Sequence, residues 1–127
     1  MREIKFRVWS VKDRLFLKPN YFAIDGYGCV INPNSYDNTN CRFNDPNCFI
    51  LTQYTGLKDK NGKEIYEGDI VRIPFRNDYA THEVIYSMGS FRIAGRIITI
   101  FAGNCSDDIE IIGNKFDNPE LLEKINN

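Results

Sequence analysis

Four cysteines, one histidine and a group of mid-chain carboxylates are the residues best able to do chemistry in this 127-residue chain. Cys29, Cys41, Cys48, Cys105 and His82 are of the types that ligate zinc. Structural zinc sites place ligands in pairs a few residues apart, so that one tight turn aims two thiolates at the metal. Here eleven residues separate Cys29 from Cys41, six separate Cys41 from Cys48, and Cys105 is remote. That spacing argues against a metal site, and we expect none. A reducing cytoplasm keeps thiols free, so no disulfide is expected either. A cysteine nucleophile with His82 as its base would require contact in space, which nothing in the spacing implies.

Asp59, Glu64, Glu67 and Asp69 are the candidates for general acid–base work. The turns around them explain them better, because Asp suits turns and Glu suits exposed strand faces. Gly26-Tyr27-Gly28 lacks the third glycine and the following helix of a dinucleotide fingerprint. No phosphate-binding loop or nucleophile elbow is present. The residues therefore point to no catalytic group and no cofactor.

A second kind of chemistry is recognition. Lys5, Arg7 and Trp9 fall on one face of a strand, with Lys12 and Arg14 close behind in sequence. Cations beside a stacking ring can hold single-stranded nucleic acid. The same face can equally be a solvated one, with Trp9 covering a core edge or a subunit contact.

The totals bound these readings. Formal net charge is −1, so no global basic field draws in nucleic acid. Hydrophobic residues make up 43% and charged residues 26%, a globular balance. The charge is uneven: residues 1–18 carry six bases and two acids, and residues 104–127 carry two bases and six acids. Opposite ends of this kind can attract within a chain or between copies. No secretory signal or membrane-length apolar run occurs, so a cytoplasmic, non-membrane protein is expected.

The elements that must position these groups are short strands. Arg2–Trp9 alternates, with Ile4, Phe6 and Val8 on one face. Leu15–Leu17 and Tyr21–Ile24 follow, and Gly26–Asn47 reads as a long Asn-rich loop. Phe49–Tyr54 returns to strand character. Asn61-Gly62 predicts a type I′ hairpin turn. Ile70–Phe75, His82–Tyr86, Ser90–Ala94, Arg96–Phe101 and Ile109–Ile112 predict five strands of a small barrel. Pro74 cannot donate to a ladder and belongs at an edge or a bulge. Asn118-Pro119-Glu120 opens a short C-terminal helix, with Asn118 as its cap. The expected architecture is mainly β: residues 1–52 as an N-terminal subdomain, and 53–127 as an SH3-like barrel subdomain. Ile65, Val71, Ile73, Val84, Tyr86, Ile98, Ile100 and Ile111 are the predicted core.

With these residues laid out, the chain resembles the YopX family of phages and prophages. The resemblance runs through Arg2-Glu3-Ile4-Lys5-Phe6-Arg7-Val8-Trp9, the long stretch Gln53 to Val71 (QYTGLKDKNGKEIYEGDIV), and Ile112-Gly113-Asn114 with Asn118-Pro119-Glu120-Leu121-Leu122-Glu123. It implies a mostly-β chain and a homo-oligomer, and it supplies no catalytic residue. The expected function is a non-enzymatic, oligomer-forming protein-binding module. Phe6, Val8 and Trp9 are the interface candidates. The alternative is nucleic-acid binding through Lys5, Arg7, Trp9, Lys12 and Arg14.

Overall fold

A computed structural model of the chain describes residues 3–31, 47–93, 96–97 and 109–125. The predicted core residues Ile98 and Ile100, and Cys41 and Cys105, lie outside them. Among the described residues the fold is mainly β, with eleven strands and two short 3-10 turns. No described helix is long and apolar enough to cross a membrane. The chain divides into two compact units, Lys5–Thr52 and Gln53–Asn127 with Met1–Ile4.

In the Lys5–Thr52 unit, β1 (Phe6–Ser10) pairs antiparallel with β2 (Leu15–Phe16), Trp9 opposite Phe16. The turn between them is closed by Ser10, whose carbonyl accepts from the Arg14 N–H at 2.8 Å. The Ser10 hydroxyl both donates to the Asp13 carboxylate and accepts from the Asp13 N–H. A second small pair joins β3 (Ala23–Ile24), within the expected Tyr21–Ile24 strand, to β4 (Val30–Ile31), which lies inside the stretch read as loop. Val8, Trp9, Val30 and Cys48 are buried here. β5 (Phe49–Lys58) begins in this unit and carries the chain into the next.

In the Gln53–Asn127 unit, β5 pairs with β6 (Glu64–Tyr66). A five-stranded sheet follows in the order β10-β9-β8-β7-β11, where β7 is Asp69–Phe75, β8 Asp78–Ser87, β9 Ser90–Ile93, β10 Arg96–Ile97 and β11 Glu110–Asn114. All its pairings are antiparallel. β11 matches β7 only from Asp69 to Arg72, so Pro74 sits beyond its reach and needs no donor on that side. Ile65, Val71, Val84, Ile93 and Ile109 form the core, with Leu57, Ile73 and Ile111 packed against it.

Three expectations change. Asn61-Gly62 is not a type I′ turn: Gly62 has φ +81°, but Asn61 is not in the left-handed region. The Gly62 N–H donates to the Asp59 carbonyl and the Asp59 N–H to the Lys63 carbonyl. This is a type I turn followed by a glycine bulge, a three-residue loop. The type I′ geometry occurs instead at Met88-Gly89, joining β8 to β9, with φ of 52° and 80°. Tyr86 is not core; it lies 55% exposed near the tip of that hairpin. The C-terminal segment Pro119–Lys124 is the expected short helix, wound as 3-10, but its expected cap is absent. The Asn118 side chain does not cap it, because its Oδ1 accepts from the Asn114 N–H behind it.

Candidate functional site

The Gln53–Val71 stretch contains all four carboxylates weighed for catalysis, and the structure gives Asp59, Glu67 and Asp69 backbone partners. Asp59 is buried, 5% exposed. Its Oδ1 accepts from the Asn61 and Lys63 N–H groups at 2.9 Å each, and its Oδ2 accepts from the Ile111 N–H at 3.0 Å. Burial alone raises the Asp59 carboxyl pKa. The three backbone donors and the nearby Lys63 charge overcome it and hold the group below the ordinary carboxylate range. A carboxylate kept ionised and saturated by N–H groups is a poor proton shuttle.

Asp69 is 2% exposed and accepts from the Tyr66 N–H. Glu67 accepts from the Gln53 N–H at 3.0 Å. Thr55 donates its hydroxyl to the Ile65 carbonyl and accepts from the Leu57 N–H, framing Gly56 at φ +88°. Asn114 closes the turn after β11 by accepting from the Phe116 and Asp117 N–H groups. Glu64 is half-buried on β6. The structure thus brings Asp59 to β11, and gives Glu67 and Asp69 separate backbone tasks.

The Asp59 geometry occurs twice. Asp25 accepts at Oδ1 from the Tyr27 and Cys29 N–H groups, its carbonyl accepts from Gly28, and its N–H donates to the Cys29 carbonyl. Gly28 has φ +80°. Both turns read Asp-x-x-Gly-x, which is the signal that could have identified them from sequence. The Gly26-Tyr27-Gly28 pattern is therefore turn chemistry. The two differ in burial: Asp25 is exposed and lacks a counterpart of Ile111.

Charged side chains converge at one place in this unit. Glu110 Oε2 lies 2.8 Å from Lys60 Nζ and 3.0 Å from Arg72 Nη2. Its hydrogen bonds to Lys60 and Arg72 hold its pKa below the ordinary value. The Arg72 guanidinium also lies over the Tyr79 ring, 4.6 Å from its centroid. These groups pair across β7, β11 and the β5–β6 turn, while the buried Arg72 Nε has no hydrogen-bond partner among the described residues.

The basic strand is less available than its sequence suggests. Trp9 is 6% exposed and meets Phe16 edge-on at 4.9 Å. The Arg7 guanidinium lies over the other partner of that pair, Phe16, at 4.4 Å, and its Nε donates to Thr52 Oγ1. Lys5 is half-buried, while Lys12 and Arg14 are exposed. Trp9, the ring expected to stack beside these cations, is thus turned into the protein. Of the interface candidates, Val8 is fully buried, Trp9 nearly so and Phe6 half-buried, all within a single chain.

The cysteines require one correction. Cys29 is free, but Cys48 is disulfide-bonded, with a partner outside the described residues. His82 is buried on β8. Among the described residues no group of three or more His, Cys, Asp or Glu is placed to hold a metal ion.

Comparison with known proteins places these features in context. A family model described as YopX protein matches residues 5–123. The crystal structure of protein EF1440 from Enterococcus faecalis is 30% identical, with a TM-score of 0.68 over 96% of this chain and 99% of that one. The crystal structure of protein yopX from Bacillus subtilis is 24% identical, with a TM-score of 0.63 over 99% of this chain and all of that one, a likeness of fold. No curated protein matches the chain significantly.

Proposed function

The chain belongs to the YopX family, and from that premise we propose that it is a phage- or prophage-type, non-enzymatic, oligomer-forming protein-binding module. One observation carries this reading: three carboxylates of the motif that marks the family, Asp59, Glu67 and Asp69, are spent on backbone N–H groups of the fold. Asp59 is the leading case, with three backbone N–H groups on one buried carboxylate. A motif used in this way specifies a scaffold, and function then lies on the surface the scaffold displays. We take residues 53–127 as an SH3-like barrel and the protein as cytoplasmic.

The surface offered to a second copy shifts within the N-terminal segment. Val8 and Trp9 are used internally, whereas Val11 and Leu15 are 40% and 48% exposed. Burial of these aliphatic side chains would supply the energy of association, and the excess of bases over residues 1–18 its orientation. Nucleic-acid binding is less favoured, because Trp9, the ring proposed to stack a base, is buried against Phe16.

Light scattering on the purified chain tests the reading. An oligomer that dissociates on Val11→Ser with Leu15→Ser, and only modestly in high salt, is expected. A parent that is monomeric at high micromolar concentration removes the oligomer from the proposal. Tight, salt-sensitive binding of single-stranded nucleic acid by a monomer would move the assignment to the alternative.

A further inference from the structure

Asn61-Gly62 combines a labile chemistry with a restraining geometry. In a flexible Asn-Gly pair the glycine backbone nitrogen attacks the asparagine side-chain carbonyl carbon. A C–N bond forms, the amide nitrogen leaves as ammonia, and the peptide N–H proton is lost to solvent. Water then opens the cyclic imide at either carbonyl, giving aspartate or isoaspartate; the net change is water consumed and ammonia released. Glycine favours the step because no side chain hinders its nitrogen.

The folded turn opposes each requirement. The nucleophile would be the Gly62 nitrogen, but its N–H is donated to the Asp59 carbonyl at 3.0 Å. Asn61 occupies the third position of a type I turn, where ψ is near 0°. That conformation rotates the Gly62 nitrogen away from the Asn61 side chain. The neighbouring N–H groups of Asn61 and Lys63 are both held by Asp59 Oδ1 at 2.9 Å. Asp59 is itself held by the Ile111 N–H on β11, and the Lys60 N–H donates to the Ile109 carbonyl. Asn61 and Gly62 nevertheless stay exposed, so water has access whenever the turn opens.

We propose that Asn61 is a site of spontaneous deamidation gated by the Asp59 clamp, so that its rate measures opening of this turn. Isoaspartate at 61 would route the backbone through an extra methylene. The Asp59 carboxylate could then no longer span Asn61, Lys63 and Ile111 together, and modification would make the opening permanent.

The test follows intact protein at neutral pH and 37 °C, in buffer and in urea. Digestion with chymotrypsin gives the fragment Lys58–Tyr66, in which Asn61 is the only asparagine. Mass spectrometry scores the aspartate and isoaspartate products. Conversion at least tenfold slower in buffer than in urea is expected, with Asp59→Ala in buffer recovering most of the difference. Glu67→Gln alters a hydrogen bond outside the turn and should leave the folded rate unchanged. Equal rates in buffer and urea would overturn the proposal. An equal acceleration by Glu67→Gln and Asp59→Ala would overturn the gating role of Asp59. Should Asp59→Ala fail to fold, hydrogen exchange of the Gly62 amide in the parent takes its place. Deamidation must then slow or quicken in step with that amide's opening as urea is varied below the unfolding transition, and a rate that ignores it rejects the gate.

Discussion

The Asp59 carboxylate accepts a hydrogen bond from the Ile111 backbone N–H at 3.0 Å, across 52 positions of chain. This bond fastens the tip of the β5–β6 hairpin to the first turn of the β11 ladder. It is reinforced by the Lys60 N–H on the Ile109 carbonyl and the Lys60 ammonium on Glu110.

Replacing that carboxylate should be expensive. Asp59→Asn keeps one acceptor oxygen but turns an amide donor toward either the turn or Ile111. Leaving a buried N–H without an acceptor costs about 1–3 kcal/mol, and urea unfolding should show a loss in that range. The same change at exposed Asp25 leaves its N–H groups open to water and should cost under about 1 kcal/mol. Equal losses at the two sites would show that the Ile111 bond adds nothing.

Acid should weaken the parent through the same group. The folded Asp59 pKa lies below its unfolded value, because the backbone donors outweigh burial. The folded state therefore binds fewer protons, and stability rises with pH across the interval between the two values. The contribution is complete above the unfolded carboxylate pKa and is lost as pH falls through the depressed folded one. Glu110 shifts in the same direction. In unfolding measured from pH 6 down to pH 2, on the order of four units spanning the carboxylate range, the gap between parent and Asp59→Asn should narrow toward the acid end. A gap independent of pH would contradict the assignment.

Gly113 should tolerate no side chain. A Cβ there would meet Asn118 Oδ1 at 2.5 Å and Leu121 Cδ1 at 2.8 Å. Those atoms belong to the segment that closes over β11, and Asn118 Oδ1 already serves the Asn114 N–H. Gly113→Ala should cost about 1–3 kcal/mol, the range for overpacking. Gly62→Val should also destabilise, for a different reason: nothing lies near its Cβ position, but φ is +81°. Thermal melts of the two variants check both, and a midpoint equal to the parent's in either case refutes that case.

Met88 offers the opposite prediction. It takes φ 52° at the first central position of a type I′ turn and is 88% exposed. Asparagine is favoured there and methionine is not. Met88→Asn should stabilise the chain by roughly 0.4–1 kcal/mol, by analogy with other substitutions that fit their backbone conformation. A lowered melting temperature would mean that the Met88 side chain has a contact worth more than the strain.

Local patterns were enough to read the strands and several of the turns. Alternation at Val71, Ile73 and Val84 placed their buried faces correctly, because a strand alternates its faces residue by residue. Glycine at the end of a strand pattern marked the turns at Gly62 and Gly89, because glycine takes positive φ without steric cost. The motif from Gln53 to Val71 was also sufficient to suggest the family. What the tertiary structure decided is where ladders stop and what lies across from each side chain. Tyr86 keeps the parity of Val84, yet it extends toward the hairpin tip and is exposed, since periodicity carries no information on how far the opposing layer reaches. Trp9 shares a strand face with Lys5 and Arg7, but Phe16 across the pair covers it. Asp59 looked like an ordinary turn residue because its third donor comes from Ile111, and a hydrogen bond between distant segments leaves no periodic trace in the sequence.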